Sequence, residues 1–361
     1  MFNFDINKQV ITIEGRSYSP DVFRDGHDLP DFQSRSPFHT HLFVFLKEWF
    51  SDTPNIRVQT SGSTGKPKSI EVQKQKMMQS AALTCSYLGL QCGCSTLLCM
   101  PLQYIGAKML VVRSLIAALD LHLATPSGNP LRHVDYPISF VAMTPLQVFN
   151  TLQLPIEKER LSQIDTVIIG GGSVDTQLQN LLKDLPNKIY STYGMTETLS
   201  HIALRRLNGA DASDHYIPFD GVLLSLSDQQ TLIIDARHVC DDRLYTTDVA
   251  EIYPDGSFSI LGRKDNIINS GGIKIQIEEL ESLLKPYINC MYAIISLPDP
   301  KFGEIIVLVV ENTIADSTAI FNHLPTYYVP KKIVQIPSIP LTETGKIDRA
   351  TLKKAIATSY K

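Results

Sequence analysis

Thr60-Ser61-Gly62-Ser63-Thr64-Gly65-Lys66-Pro67-Lys68 gathers hydroxyl residues, two glycines and two lysines in one stretch. Glycine frees backbone amides to face an anion, hydroxyls add donors, and ammonium groups add charge. The stretch therefore suits a polyphosphate. It is not a Walker A loop, which has four residues between its glycines and Ser or Thr after its Lys. Here only Ser63 and Thr64 separate the glycines, and Pro67 follows Lys66. Proline also stops Lys66 from running directly into a helix. A solvated turn has a similar composition, so the segments that follow must decide.

Working outward, strands and helices alternate. Ile70-Glu71-Val72 reads as a strand, and Lys74 to Leu88 as a helix. Thr96 to Met100, Ile138 to Met143, Thr166 to Ile169 and Lys188 to Thr192 read as buried strands. Between them, Ala107 to Leu119, Leu146 to Leu152 and Val174 to Leu185 have helical character. Upstream, His39 to Phe50 is helical and Phe2 to Ile13 reads as an edge hairpin. Such alternation implies a parallel sheet with both faces covered. After Phe219 the pattern changes to short strands: Val222 to Leu226, Leu232 to Ile234, Glu251 to Tyr253 and Phe258 to Leu261. Pro254-Asp255-Gly256 turns the last two. Gly262 to Asn266 is a polar break. Beyond it the sequence predicts a helix (Ile277 to Leu284), strands (Tyr292 to Ser296, Ile305 to Val310) and a helix near Ala319. A strand (Ile333 to Ile336) and a terminal helix from Asp348 complete the chain. The expected class is α/β. Residues 1–262 form a large domain, with a parallel-rich sheet and a small antiparallel subdomain. Residues 263–361 form a small α+β domain, a size sufficient to fold separately.

Composition excludes several classes. Hydrophobic content is 43% and net charge −4, with acids and bases interspersed. No basic footprint for nucleic acid or polybasic membrane patch is present. Met1-Phe2-Asn3-Phe4-Asp5 lacks the start of a signal peptide. The most apolar stretch, Met109 to Leu119, is broken by Arg113 and too short to span a bilayer. A cytoplasmic protein without membrane insertion is expected, with a homodimer left open. Cys85, Cys92, Cys94, Cys99, Cys240 and Cys290 show no CxxC spacing and no histidine among the clustered four. They read as free thiols rather than a metal site.

Tyr193-Gly194-Met195-Thr196-Glu197-Thr198 follows a strand. The carboxyl end of a parallel strand is where open α/β sheets bind ligands. An aromatic face suits a purine, and a carboxylate near a phosphate loop suits Mg²⁺. Gly170-Gly171-Gly172-Ser173 leaves a strand and lets a ligand approach the backbone. Asp248, in Tyr245-Thr246-Thr247-Asp248, can accept both ribose hydroxyls. Lys346, in Thr344-Gly345-Lys346-Ile347, is a point charge on a loop.

In this order, from Thr60 to Lys346, the segments resemble those of the adenylate-forming enzymes: acyl-CoA synthetases, peptide-synthetase adenylation domains and luciferases. The resemblance implies ATP, Mg²⁺ and CoA as cofactor and co-substrates, and a small carboxylic acid as substrate. It implies that Thr60, Ser61, Gly62, Ser63, Thr64, Gly65, Lys66 and Lys68 hold phosphates. Gly170, Gly171, Gly172, Tyr193, Gly194 and Met195 enclose the adenine. Thr196 contacts phosphate, and Glu197 holds the metal. Asp248 meets the ribose, Arg263 reaches the ribose or the phosphates, and Lys346 is catalytic. Asp265 becomes the hinge of a mobile second domain, and Gly271 and Gly272 meet the pantetheine arm of CoA. Two departures stand out. Thr247 replaces a family glycine before Asp248, and only fifty-nine residues precede the phosphate loop, where the family usually has well over a hundred.

The acid pocket falls on Tyr104, Gly106, Lys108, Arg113, Ser200 and His201. Residues around them are similar to the branch of the family that joins o-succinylbenzoate to CoA in menaquinone synthesis. That acid has two carboxylates, and Lys108 or Arg113 is the candidate partner of the one that does not react. Another acid, a carrier-protein acceptor and a non-catalytic nucleotide-binding protein remain as alternatives. Retention of Lys346 argues against the last.

Overall fold

The computed structural model describes residues 2–24, 32, 35–59, 69–313, 320–342 and 346–359. The Thr60–Lys68 stretch, the helix expected near Ala319, and Thr344 with Gly345 lie outside the described residues.

The central sheet has nine strands. They are β1 (Ile11–Ile13), β2 (Arg16–Tyr18), β5 (Ser95–Leu98), β6 (Asp120–Leu123), β7 (Phe140–Met143), β8 (Thr166–Ile169), β9 (Lys188–Gly194), β10 (His201–Arg206) and β11 (Ile217–Pro218). Their order is β11-β10-β9-β8-β7-β5-β6-β1-β2. From β1 to β9 neighbours pair in parallel, and antiparallel pairs close both edges. Every residue of β7 and β8 is buried, as a strand covered on both faces requires. The helix Ile105–Ala117 is likewise buried almost all round, and Arg113 is its one charged buried residue. Helix starts follow local chemistry. Ser36 accepts from the backbone N–H of His39 ahead of Pro37, and Thr144 forms a capping box with Gln147 ahead of Pro145.

The front of the chain differs from expectation. The hairpin spans β1 and β2 rather than Phe2 to Ile13, and residues Ile6–Lys8 form a 3₁₀ turn capped by Asp5. Glu14 and Gly15 take φ of 51° and 78°, the left-handed pair that suits a two-residue hairpin turn. β1 also pairs with β6, so only β2 is an edge. Behind it Phe23 stacks on Phe50 at 5.5 Å and lies 5.7 Å from Phe43. Each such buried ring contributes about 1.5–3 kcal/mol. β3 (Asn55–Gln59) and β4 (Ser69–Gln73) form a separate antiparallel pair on either side of the Thr60–Lys68 stretch in sequence.

A four-stranded antiparallel sheet follows, β12 (Leu223–Leu226), β13 (Thr231–Asp235), β14 (Leu244–Ile252) and β15 (Phe258–Arg263). The polar break expected at Gly262 starts later, because Gly262 and Arg263 still belong to β15. The last sheet contains β16 (Ile267–Ser270), β17 (Ile273–Gln276), β18 (Tyr292–Asp299), β19 (Gly303–Val310) and β20 (Lys332–Gln335). On β19, Ile305, Val307 and Val309 face one apolar cluster, while Ile306, Leu308 and Val310 face another. This is the two-residue period of a strand covered on both sides. Neither cluster shares a residue with those of the preceding sheets. Among the described residues, no helix is long and apolar enough to cross a membrane.

Candidate active site

The loops after β7, β8 and β9 leave the carboxyl edge of the parallel strands, where such sheets bind ligands. After β9, Gly194 pairs with His201 of β10. A side-chain carbon on Gly194 would sit 2.3 Å from the carbonyl oxygen of Ser200. Thr198 secures the intervening turn. Its hydroxyl accepts from the Met195 backbone N–H at 3.0 Å and lies 2.7 Å from the Ser200 carbonyl oxygen. Gly194→Ala is therefore expected to destabilise the fold by about 1–3 kcal/mol, the usual cost of overpacking. Thermal unfolding checks this, and an unchanged melting temperature would contradict the close approach.

Asp248 of β14 is paired in register with Arg263 of β15. One carboxylate oxygen lies 3.5 Å from the Arg263 guanidinium. The other accepts from the Tyr193 hydroxyl at 2.7 Å. Burial and this carboxylate push the Tyr193 phenol above its ordinary range. The Tyr193 ring packs against Phe258 and Tyr216 at 5.2 and 5.9 Å. Thr247 accepts from Arg263 at 2.6 Å, so the side chain that replaces a glycine holds the guanidinium. Asp265 lies 3.5 Å from the same group.

The Lys346 backbone is tied to Thr342 and its neighbours. Leu341 bridges Ile347, and the Thr342 N–H donates to the Lys346 carbonyl at 2.7 Å. Its Cε lies 3.9 Å from the point a side-chain carbon on Gly172 would occupy. Burial of the ammonium and the Arg263 charge lower its pKa, and Asp248 opposes them. Lys346, Gly172, Asp248, Arg263 and Tyr193 thus converge on one place, although 174 positions separate the first two in sequence.

Beside them is a second group. Arg113 is 1% exposed and donates from Nη2 to the Ser200 hydroxyl at 2.7 Å. Its Nε has no partner among the described residues. Burial lowers its pKa to about 10, and no described carboxylate opposes that. His201 is buried against Phe219 at 5.4 Å. It lies 3.2 Å from Ser200 through Nδ1 and 3.0 Å from the Thr84 hydroxyl through Nε2. Desolvation, then Arg113, hold the imidazole neutral. Thr84 carries no local motif; only tertiary packing brings it here.

Lys108 does not join this group. Five residues from Arg113 is about 140° around a helix. Its Nζ instead donates to the Arg57 carbonyl at 2.7 Å and lies 5.6 Å from the Phe45 ring. Gly106, seven residues from Arg113, shares its helix face about two turns away, packed on Met100. Tyr104 precedes that helix. Gly271 and Gly272 form the turn between β16 and β17, and the Gly271 N–H donates to the Phe302 carbonyl at 2.8 Å. Thr196 and Glu197 lie on a 3₁₀ turn, with Glu197 exposed. Among the described residues, no group of three or more His, Cys, Asp or Glu is placed to hold a metal ion. One accessible carboxylate nevertheless fits Mg²⁺, which binds proteins through one or two carboxylates plus phosphates.

The sequence pattern described as AMP-binding enzyme matches residues 52–238, more than half of the chain. The chain belongs to that family. Among AMP-binding enzymes it is similar to the 2-succinylbenzoate–CoA ligase of Staphylococcus epidermidis, with 25% identity over 81% of this chain and 68% of that protein. It is also similar to an acyl-CoA synthetase (AMP-forming)/AMP-acid ligase II-like protein from Dyadobacter fermentans. There identity is 33% over 89% of this chain and 95% of that one, with a TM-score of 0.62. The fold matches o-succinylbenzoate coenzyme A synthetase from Bacillus subtilis in complex with ATP and magnesium. That TM-score is 0.70 at 19% identity, covering 85% of this chain and 74% of that chain.

Proposed function

We propose that this chain is an AMP-forming acid–CoA ligase whose acid is o-succinylbenzoate, on the route to menaquinone. The observation that carries the substrate is Arg113. A buried guanidinium whose partner among the described residues is one hydroxyl, with an N–H left over, is costly. A second carboxylate on the acid supplies the missing counter-charge, with a charge-assisted bond. The named relatives support the same acid.

In this reading the adenine lies against Tyr193 and the Gly170–Gly172 loop, and Asp248 accepts the ribose hydroxyls. Thr196 and the Thr60–Lys68 stretch bind phosphates. Glu197 would hold Mg²⁺, which supplies charge neutralisation for the polyphosphate. The reacting carboxylate oxygen attacks the α-phosphorus, the bond to the β-phosphate oxygen breaks, and pyrophosphate leaves. Lys346 and Arg263 stabilise charge that grows during this transfer, so catalysis is positioning plus electrostatics. Residues 263–361 then turn about Asp265, withdraw Lys346 and bring Gly271 and Gly272 to the pantetheine arm. The CoA sulfur attacks the acyl carbon, the acyl–oxygen bond breaks, and AMP departs; the thiol proton goes to solvent. ATP and CoA are drawn from the cytoplasm.

ATP–pyrophosphate exchange across a panel of acids tests this. Exchange is expected to be strongest with o-succinylbenzoate and weak with a monoacid lacking the ring carboxylate. Equal exchange with both would remove the diacid from the proposal.

The Lys346 ammonium titrates below the ordinary lysine value of 10.5. Raising pH through that lowered pKa removes the proton and the charge. Exchange is therefore expected to fall on an alkaline limb below that value, and Lys346→Arg should lose the limb. A limb that persists in Lys346→Arg would assign it to another group.

A further inference from the structure

Thr84, His201, Ser200 and Arg113 form one chain of hydrogen bonds, buried at Thr84, His201 and Arg113 and half-buried at Ser200, and its donors can be counted. A guanidinium only donates, so the Ser200 oxygen accepts from Arg113. Ser200 keeps one proton. In one arrangement Ser200 donates to His201 Nδ1, and Nε2–H donates to Thr84. The Thr84 hydroxyl then donates to the Ser80 carbonyl at 3.3 Å. In the other, the donors from Ser200 to Thr84 turn round while Arg113 still donates. Thr84 donates to Nε2, Nδ1–H donates to Ser200, and the Ser200 proton is released toward a ligand oxygen. Both arrangements keep the imidazole neutral and carry the same total charge.

We propose that Thr84 and His201 are positioning residues that hold the Arg113–Ser200 pair and let Ser200 donate, beside Arg113, to the non-reacting carboxylate of the acid. Three features support this. Thr84 is fully buried and His201 nearly so, so water does not substitute for either partner. The chain ends on the guanidinium whose Nε is unpartnered among the described residues. The neutral imidazole adds no second charge, which matches the site to one carboxylate rather than a dianionic phosphate. The relay matters only if Arg113 meets the acid, as proposed above.

Thr84→Val keeps the shape and removes the hydroxyl. It is expected to raise KM for o-succinylbenzoate about five- to tenfold, the size of one net hydrogen bond, with kcat within about twofold. Thr84→Ser should restore KM. A Thr84→Val enzyme with unchanged KM, or a loss that Thr84→Ser does not repair, would overturn the relay. Arg113→Met, measured beside it with the diacid and a monoacid, separates the two ideas. If Arg113→Met discriminates the acids and Thr84→Val leaves KM unmoved, the relay alone fails. If Arg113→Met affects both acids equally, the assignment of the pocket fails, and the relay with it.

Discussion

Lys346→Ala is expected to lower ATP–pyrophosphate exchange by about a hundred- to a thousandfold, the usual loss on removing one group that stabilises transition-state charge. The same variant should convert supplied acyl-adenylate and CoA to thioester at close to the wild-type rate. The contrast follows from geometry. The Lys346 side chain reaches Gly172 and the field of Asp248 and Arg263, where phosphoryl transfer takes place in the proposed mechanism. Thioester formation moves no phosphoryl group and has no use for that ammonium. The Lys346 backbone is bonded to Thr342 at both its N–H and its carbonyl, contacts that alanine keeps. Equal loss in both half-reactions would take Lys346 out of the adenylation role.

Arg113→Met should raise KM for o-succinylbenzoate by roughly ten- to a hundredfold, the range of a lost bond to a charged group of about 1.5–3 kcal/mol. A monoacid should suffer far less. The stability effect runs the other way. Arg113 has no counter-ion among the described residues, and replacing such a buried charge with an apolar side chain of similar length is often neutral or stabilising. The melting temperature of Arg113→Met is accordingly expected to equal or exceed that of the wild type. A variant that melts early and loses both acids alike would show Arg113 to be a packing residue.

Much of the fold was readable because apolar runs are bounded by turn residues. Thr166 to Ile169, Lys74 to Leu88 and Ile277 to Leu284 have the observed limits. β6 escaped because Asp120-Leu121-His122-Leu123 is short, and its partners are strands 25 and more than a hundred positions away. The helix Pro155–Gln163 escaped because only Glu157 and Leu161 of it are buried, leaving almost no apolar stripe to detect. The front hairpin was misplaced because loose alternation does not fix where a turn falls, whereas the left-handed Glu14-Gly15 pair does.

The site divides in the same way. Tyr193, Asp248, Arg263 and Lys346 each stand in a recognisable local motif, and the structure gathers them. Arg113 and Lys108 were indistinguishable as cations on one helix, because helix rotation relative to β10 is a tertiary property. Thr84 was invisible, since a threonine in mid-helix has no local signature. The contact between Thr247 and Arg263 likewise needed the β14–β15 register.

The most direct measurement is pyrophosphate release from MgATP with o-succinylbenzoate, followed by addition of CoA and mass analysis of the product. Stoichiometric pyrophosphate and AMP, with the mono-CoA thioester of the diacid, is the predicted result. Pyrophosphate release that depends on some other acid, with none for o-succinylbenzoate, would contradict the assignment of the Arg113 pocket to a second carboxylate.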